Sequence, residues 1–334
     1  MHDKMWAILV HLGYRMWEDT KDLPFTFDEE LWDYIVEESA KIGINTIVLD
    51  VGEGLEFSSH PELFAKGGWT RARLRKEIAR CEERGIKIIP KLNFSAYHDQ
   101  WLGEYGEMLS TSLYYKVCAD LIRESYEIFH QPEYIHIGMD EEDEYCFRSV
   151  EHVNYRKGSL YWHDLRFLLD CVIETGAKPW IWSDPLHYSP EEFCSCVSPD
   201  EVLISPWYYH AFKEEHYTPI NSRPSIIAHY QRPEYANMKL QFVEEDPINA
   251  NWCKLTLPYM EKGYNYVPCA GVSSHCDYNT EELVEYYKEN APDDQVVGYM
   301  TAPWYMTEQE NKQYFEESFR FLKAAKEKFY HYCF

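Results

Sequence analysis

The chain has 334 residues, 45% of them hydrophobic, and 32 Lys and Arg against 57 Asp and Glu, a formal net charge of −25. That charge disfavours a phosphate backbone or an anionic bilayer as main partner, so no nucleic-acid and no membrane partner is expected. The apolar fraction argues against wholesale disorder, and a mean hydropathy of −0.53 with no apolar run near ~18 residues argues against a membrane span.

Residues 5–12 are apolar but too short and too strand-like for a secretion signal. The ten cysteines are irregularly spaced, with no C-x-x-C pair, which points away from a zinc ribbon or disulfide framework. Reduced thiols in a cytoplasmic protein are the simplest expectation.

In chain order, short β-rich apolar runs fall at 6–12, 46–51, 86–92, 134–139, 179–182, 202–207, 266–271 and 296–301, separated by longer helical patterns. Thr26 with Glu29, Ser189 with Glu192 and Thr307 with Glu310 fit the capping box, and Pro190 takes the favoured first helical position. One unit reads completely: Thr70 opens a helix with Leu74, Ile78 and Cys81 on one face, Gly85 ends it, and an apolar strand follows. The pattern weakens over residues 208–264, where an insertion is expected, and no linker divides the chain. The predicted architecture is α/β, a single (β/α)8 TIM barrel forming one domain over residues 1–334. A doubly wound open sheet is the alternative, disfavoured because no Gly-rich phosphate loop follows the first strand.

Barrel chemistry sits where strands end. The fourth strand runs through His136 and Gly138 directly into Asp140 and Glu141. Crowded carboxylates at a concave site raise one another's pKa, and a carboxyl kept protonated near neutrality is what a general acid needs, whereas Glu142, Asp143 and Glu144 read as a solvated loop. Other strand ends offer Arg15 and Trp17, Asp50 and Glu53, Asn93 and His98, Trp182 and Asp184, Trp207 with Tyr208 and Tyr209, and Trp304 with Tyr305. Flat aromatic faces beside carboxylates suit a sugar, so a carbohydrate substrate is the expected partner.

The run His136-Ile-Gly-Met-Asp140-Glu141 resembles the H-x-G-G-D-E motif of family 20 glycoside hydrolases, the β-N-acetylhexosaminidases, which are (β/α)8 barrels carrying it at the end of strand four. The resemblance is strongest from about residue 43 to residue 142 and continues loosely through Trp182, Trp207 and Trp304. It implies that Glu141 is the general acid/base and that Asp140 orients the substrate's 2-acetamido group, itself the nucleophile of a substrate-assisted, retaining hydrolysis. By the same resemblance Tyr208 or Tyr209 would bond the acetamido oxygen, Trp182, Trp207 and Trp304 would line its pocket, and Arg15 would bind outer hydroxyls. No cofactor or metal is implied. Met139 departs from the motif's second glycine, and Asn93 stands where the family has an aspartate that tunes the acid/base through a histidine. The small β-domain that commonly precedes the family's barrel is not expected, since the first strand starts near Trp6.

Two rival readings remain at this level. One is a carbohydrate-binding barrel without turnover, which the presence of both Asp140 and Glu141 disfavours. The other is a metal-dependent hydrolase using His11, His98, His136 and the acidic cluster, disfavoured by the absence of H-x-H and H-E-x-x-H spacings.

Overall fold

Nine short parallel strands form one curled sheet in the order β7-β6-β5-β4-β3-β2-β1-β9-β8. They are β1 (Met5–His11), β2 (Thr46–Asp50), β3 (Lys87–Lys91), β4 (Tyr134–His136), β5 (Lys178–Trp182), β6 (Leu203–Ser205), β7 (Asn265–Tyr266), β8 (Cys269–Gly271) and β9 (Gly298–Ala302). The structure, a computed structural model, describes residues 4–13, 25–142, 156–216, 251–274 and 276–331. Of the insertion expected over 208–264, residues 217–250 lie outside the described residues.

β7 and β8 are two pieces of the strand expected at 266–271, interrupted because Pro268 has no N–H to give a ladder. The interruption remains bonded on both sides. Val267 N donates to Ile204 O (2.9 Å) and Cys269 N to Pro206 O (2.8 Å), while Met300 N donates to Pro268 O (2.9 Å). The sheet therefore closes as eight staves, a (β/α)8 barrel.

Period-two geometry divides each strand between two cores. Ala7, Leu9, Val48, Ile89, Trp180, Trp182, Leu203 and Met300 fill the barrel interior. Ile8, Val10, Ile47 and Leu49 face outward against helix residues such as Leu31, Trp32, Ile35 and Leu121. Strands buried on both faces need continuous apolar runs, which is why these segments are legible without alternation.

The helix Arg71–Glu82 opens as expected, with the Thr70 side chain accepting from Arg73 N. Two capping boxes are displaced. Asp28, not Thr26, caps Glu29–Lys41, accepting from Leu31 N, because it immediately precedes the first helical residue and Thr26 stands two residues further from the free amides. Thr307 caps no helix, since its hydroxyl donates to His11 O and the last helix, Lys312–Tyr330, begins after Asn311. Ser189 does precede the helix Pro190–Cys196, without a side-chain cap bond. Among the described residues no helix is long and apolar enough to cross a membrane, and the described cysteines are free thiols.

Candidate active site

The site is built around a turn that begins where β4 stops. After His136 the backbone enters the left-handed region at Gly138 (φ 75°), Met139 (φ 72°) and Glu141 (φ 58°). A Cβ on Gly138 would lie 1.9 Å from Asn93 Oδ1, so only glycine fits there. The turn breaks strand alternation, sending the Met139 side chain into the outer core, where it is fully buried, and Asp140 toward the barrel mouth. Met139 thus fills the core beneath the motif; it does not crowd the carboxylates.

The end of β3 supplies their partners. Asn93 Nδ2 donates to Asp140 Oδ1 at 3.0 Å, and the Ser95 hydroxyl donates to the Asp140 carbonyl. His98 Nε2 lies 2.9 Å from Glu141 Oε2 and 3.3 Å from Asp140 Oδ2. Burial opposes charge on Asp140, but the His98 imidazolium, Lys91 and the Asn93 amide outweigh it and hold the carboxyl well below the usual range. Burial likewise opposes charge on His98, and Asp140 above all reverses this, raising the imidazole to about 10. Asn93 therefore acts on Asp140 directly, not through a histidine.

Asp140, Glu141 and His98 line one wall of a cavity of about 160 Å³, completed by Trp182, Trp207, Tyr209, Ser273 and Trp304. Trp207 stacks on Tyr209 (5.1 Å between centroids), and Trp304 meets both Trp182 (5.7 Å) and Tyr209 (6.1 Å). These aromatics come from the ends of β5, β6 and β9, and Ser273 from the end of β8. A cavity walled by indoles and phenol on one side and by carboxylates on the other matches the amphipathic surface of a sugar.

The remaining expected site residues separate. Tyr208 is buried in the outer core against Phe212, so of the two tyrosines only Tyr209 reaches the cavity. Asp50 is buried inside the barrel, bonded to Lys91 and 3.4 Å from His11 Nδ1. Glu53 packs against Gly13, whose added Cβ would lie 2.8 Å from Glu53 Oε2, and neither carboxylate lines the cavity. His136 packs between Trp180 and Trp182 (5.3 and 4.8 Å), its Nδ1 accepting from Gly138 N, so it supports the turn from beneath. Asp184 accepts from Glu141 N (2.9 Å) and Trp207 Nε1 (2.7 Å). Burial and the neighbouring Asp140 push its carboxyl well above the usual range. Tyr305 stacks on Tyr314 (3.7 Å), away from the cavity wall. Arg15, Trp17, Asp143 and Glu144 lie outside the described residues.

Glu142 corrects the solvated-loop expectation. Its carboxylate is 2% exposed, paired with the fully buried Arg156 guanidinium, and it also accepts from Ala96 N at 2.9 Å. Arg156 further bonds Phe94 O (2.7 Å) and Asp164 (3.1 Å), tying the β3 and β4 loops to the helix Ser159–Thr175. No sequence signal marked Arg156, whereas Ser273 was findable by the strand-end rule that located the rest.

Among the described residues, one group gathers ligand-type atoms closely enough to hold a metal: His98, Asp140 and Glu141, within 4.8 Å. His11 and His136 stand elsewhere in the barrel, as described above, so the three histidines form no common ligand set.

Adjacent carboxylates at the end of β4, a histidine bonded to both and an aromatic cage define a (β/α)8 barrel of the glycoside-hydrolase type. The chain belongs to glycosyl hydrolase family 20, whose catalytic-domain model matches residues 50–331. Among solved structures it is similar to a family 20 exo β-N-acetylglucosaminidase from Vibrio harveyi in complex with N-acetylglucosamine, with TM-score 0.61 and 14% identity over 96% of this chain and 53% of that one. A mutant β-hexosaminidase from Streptomyces plicatus in complex with its product gives TM-score 0.60 and 14% identity over 97% and 63%. Dispersin B gives TM-score 0.52 and 13% identity over 98% and 99%. The chain spans about half the length of the Vibrio harveyi protein, and at these identities the likeness establishes the fold. No curated protein sequence matches it.

Proposed function

We propose that the chain is a glycoside hydrolase, one catalytic domain over residues 1–334, acting as an exo β-N-acetylhexosaminidase by substrate-assisted, retaining hydrolysis. The observation that carries this reading is the division of labour within the pair. Asp140 is buried and held ionised, while the Glu141 carboxyl, 30% exposed, stands at the cavity with His98 on it.

In the proposed reaction Glu141 gives a proton to the glycosidic oxygen as that oxygen leaves C1, and the acetamido carbonyl oxygen attacks C1 to close an oxazolinium ring. The ionised Asp140 accepts from the acetamido N–H and stabilises the positive charge that develops there. Glu141 then removes a proton from water, which opens the ring at C1 and restores both groups. In this reading Tyr209 bonds the acetamido oxygen, and Trp182, Trp207 and Trp304 enclose the methyl group; that all four line the cavity supports it. Asp140 and Glu141, adjacent in sequence, cannot flank a sugar from opposite faces, which favours this route over two protein carboxylates.

The test compares aryl glycosides with and without a 2-acetamido group for the parent and for Asp140→Asn. The expected result is strong inhibition of the parent by a thiazoline mimic of the cyclised sugar, and a loss in the variant concentrated on 2-acetamido substrates. A covalent glycosyl-Asp or glycosyl-Glu peptide trapped by a 2-fluoro sugar overturns the route, and tight sugar binding without turnover favours the non-catalytic barrel.

A further inference from the structure

We propose that Asp184 is a positioning residue, neither a substrate ligand nor a nucleophile: its carboxyl group fixes the backbone of Glu141 to the indole of Trp207, setting the acid/base and the aromatic wall as one unit. The proposal rests on the glycosidase reading above and assigns a part within it.

Asp184 is 1% exposed and follows β5 directly, at the start of the short helix Asp184–Tyr188. Its two oxygens are both engaged by protein donors, Oδ1 by Glu141 N at 2.9 Å and Oδ2 by Trp207 Nε1 at 2.7 Å. Each oxygen is thus held by a protein donor, and Asp184 is not among the residues lining the cavity that Glu141 and Trp207 share. Burial and the Asp140 charge, which disfavour its ionised form, also make it a poor nucleophile.

The Glu141 side of this link has a specific need for it. Glu141 holds φ at 58°, a left-handed conformation that is strained for a residue with a Cβ and persists only where surroundings over-determine it. The bond to Asp184 acts on the amide of that same residue. On the other side, the Trp207 ring plane is set by stacking on Tyr209 (5.1 Å, 22°) and by an edge contact with Trp252 (3.9 Å, 80°), leaving the N–H to fix its rotation in the wall. Only a group with two acceptors can take both donors. An asparagine has the same shape but turns an NH₂ toward one of them, so Asp184→Asn removes half of the hold without opening a void.

Asp184→Asn, Trp207→Phe and the double variant are assayed on two 2-acetamido glycosides, one with an alkyl leaving group and one with dinitrophenol. Misplacement of the proton donor lowers kcat by about 100-fold for the alkyl substrate, whose departure needs protonation, and by less than about fivefold for dinitrophenol. The double variant falls short of the product of the single effects, because both act through one link. Hydrogen exchange of the Glu141 amide and the Trp207 indole, slow in the parent, accelerates in Asp184→Asn. Equal losses on both leaving groups, independent effects of the two substitutions, or unchanged exchange overturn the proposal. A parent protein that turns over no glycoside counts against the glycosidase reading, whereas the link itself is decided by the exchange measurement.

Discussion

The Nε2 atom of His98 lies 2.9 Å from Oε2 of Glu141, so the group proposed to carry the proton is oriented by a cation behind it. Glu141→Gln keeps the shape but gives no proton to a leaving oxygen. Turnover of a substrate with a poor leaving group is expected to fall about 10²–10⁴-fold with the fold intact by circular dichroism. Activity within about threefold of the parent on that scale removes Glu141 from the role.

The same histidine sets a pH dependence of stability. Its folded pKa, about 10, is raised above the ordinary value of 6.5. A raised pKa means that the folded state binds the proton more tightly, so the stabilisation is fully present below pH 6.5 and is lost as pH rises toward about 10. Melting temperatures of the parent are expected to decline across that window more steeply than those of His98→Gln. Parallel curves for the two proteins refute the assignment.

Gly138→Ala tests the turn that aims the pair. The new Cβ meets Asn93 Oδ1 at 1.9 Å with φ at 75°, so overpacking and backbone strain add. A loss of at least about 2 kcal/mol is expected in denaturant titration, together with loss of activity. Gly67→Ala serves as the control: φ is 101° there but nothing lies within 4 Å of the added Cβ, so only the strain remains. Equal costs at the two positions contradict the close approach to Asn93.

Arg156→Met leaves the Glu142 and Asp164 carboxylates buried without their cation. Removing one partner of a buried pair costs about 3–5 kcal/mol, and Arg156→Met with Glu142→Gln is expected to recover part of it. Chemical denaturation of the three proteins checks both statements; a single variant within about 1 kcal/mol of the parent, set against that range, shows the network to be dispensable.

Much of this was legible in residue order, because the signals involved are local. Strands buried on both faces must be short, apolar and punctuated, so all eight staves could be read, and Thr70 could be read as a helix cap. That Asp140 and Glu141 stand at the barrel mouth was legible because they follow the fourth strand, and strand ends open there. Local signals failed where two groups compete for one task, as when Asp28 displaced Thr26 as a cap.

The tertiary structure alone decided which strand-end residues share a cavity. Parity along a strand assigns faces only while the chain stays extended, and the left-handed residues Gly138, Met139 and Glu141 end that parity where it matters. Sequence therefore could not say that Met139 enters the core, that Tyr209 and not Tyr208 reaches the cavity, or that Asp50 is claimed by Lys91. Nor could it show that Glu142 is buried, since the Arg156 that neutralises it stands 14 residues away. Burial of a charge is decided by its partner, and partners are brought together by the fold.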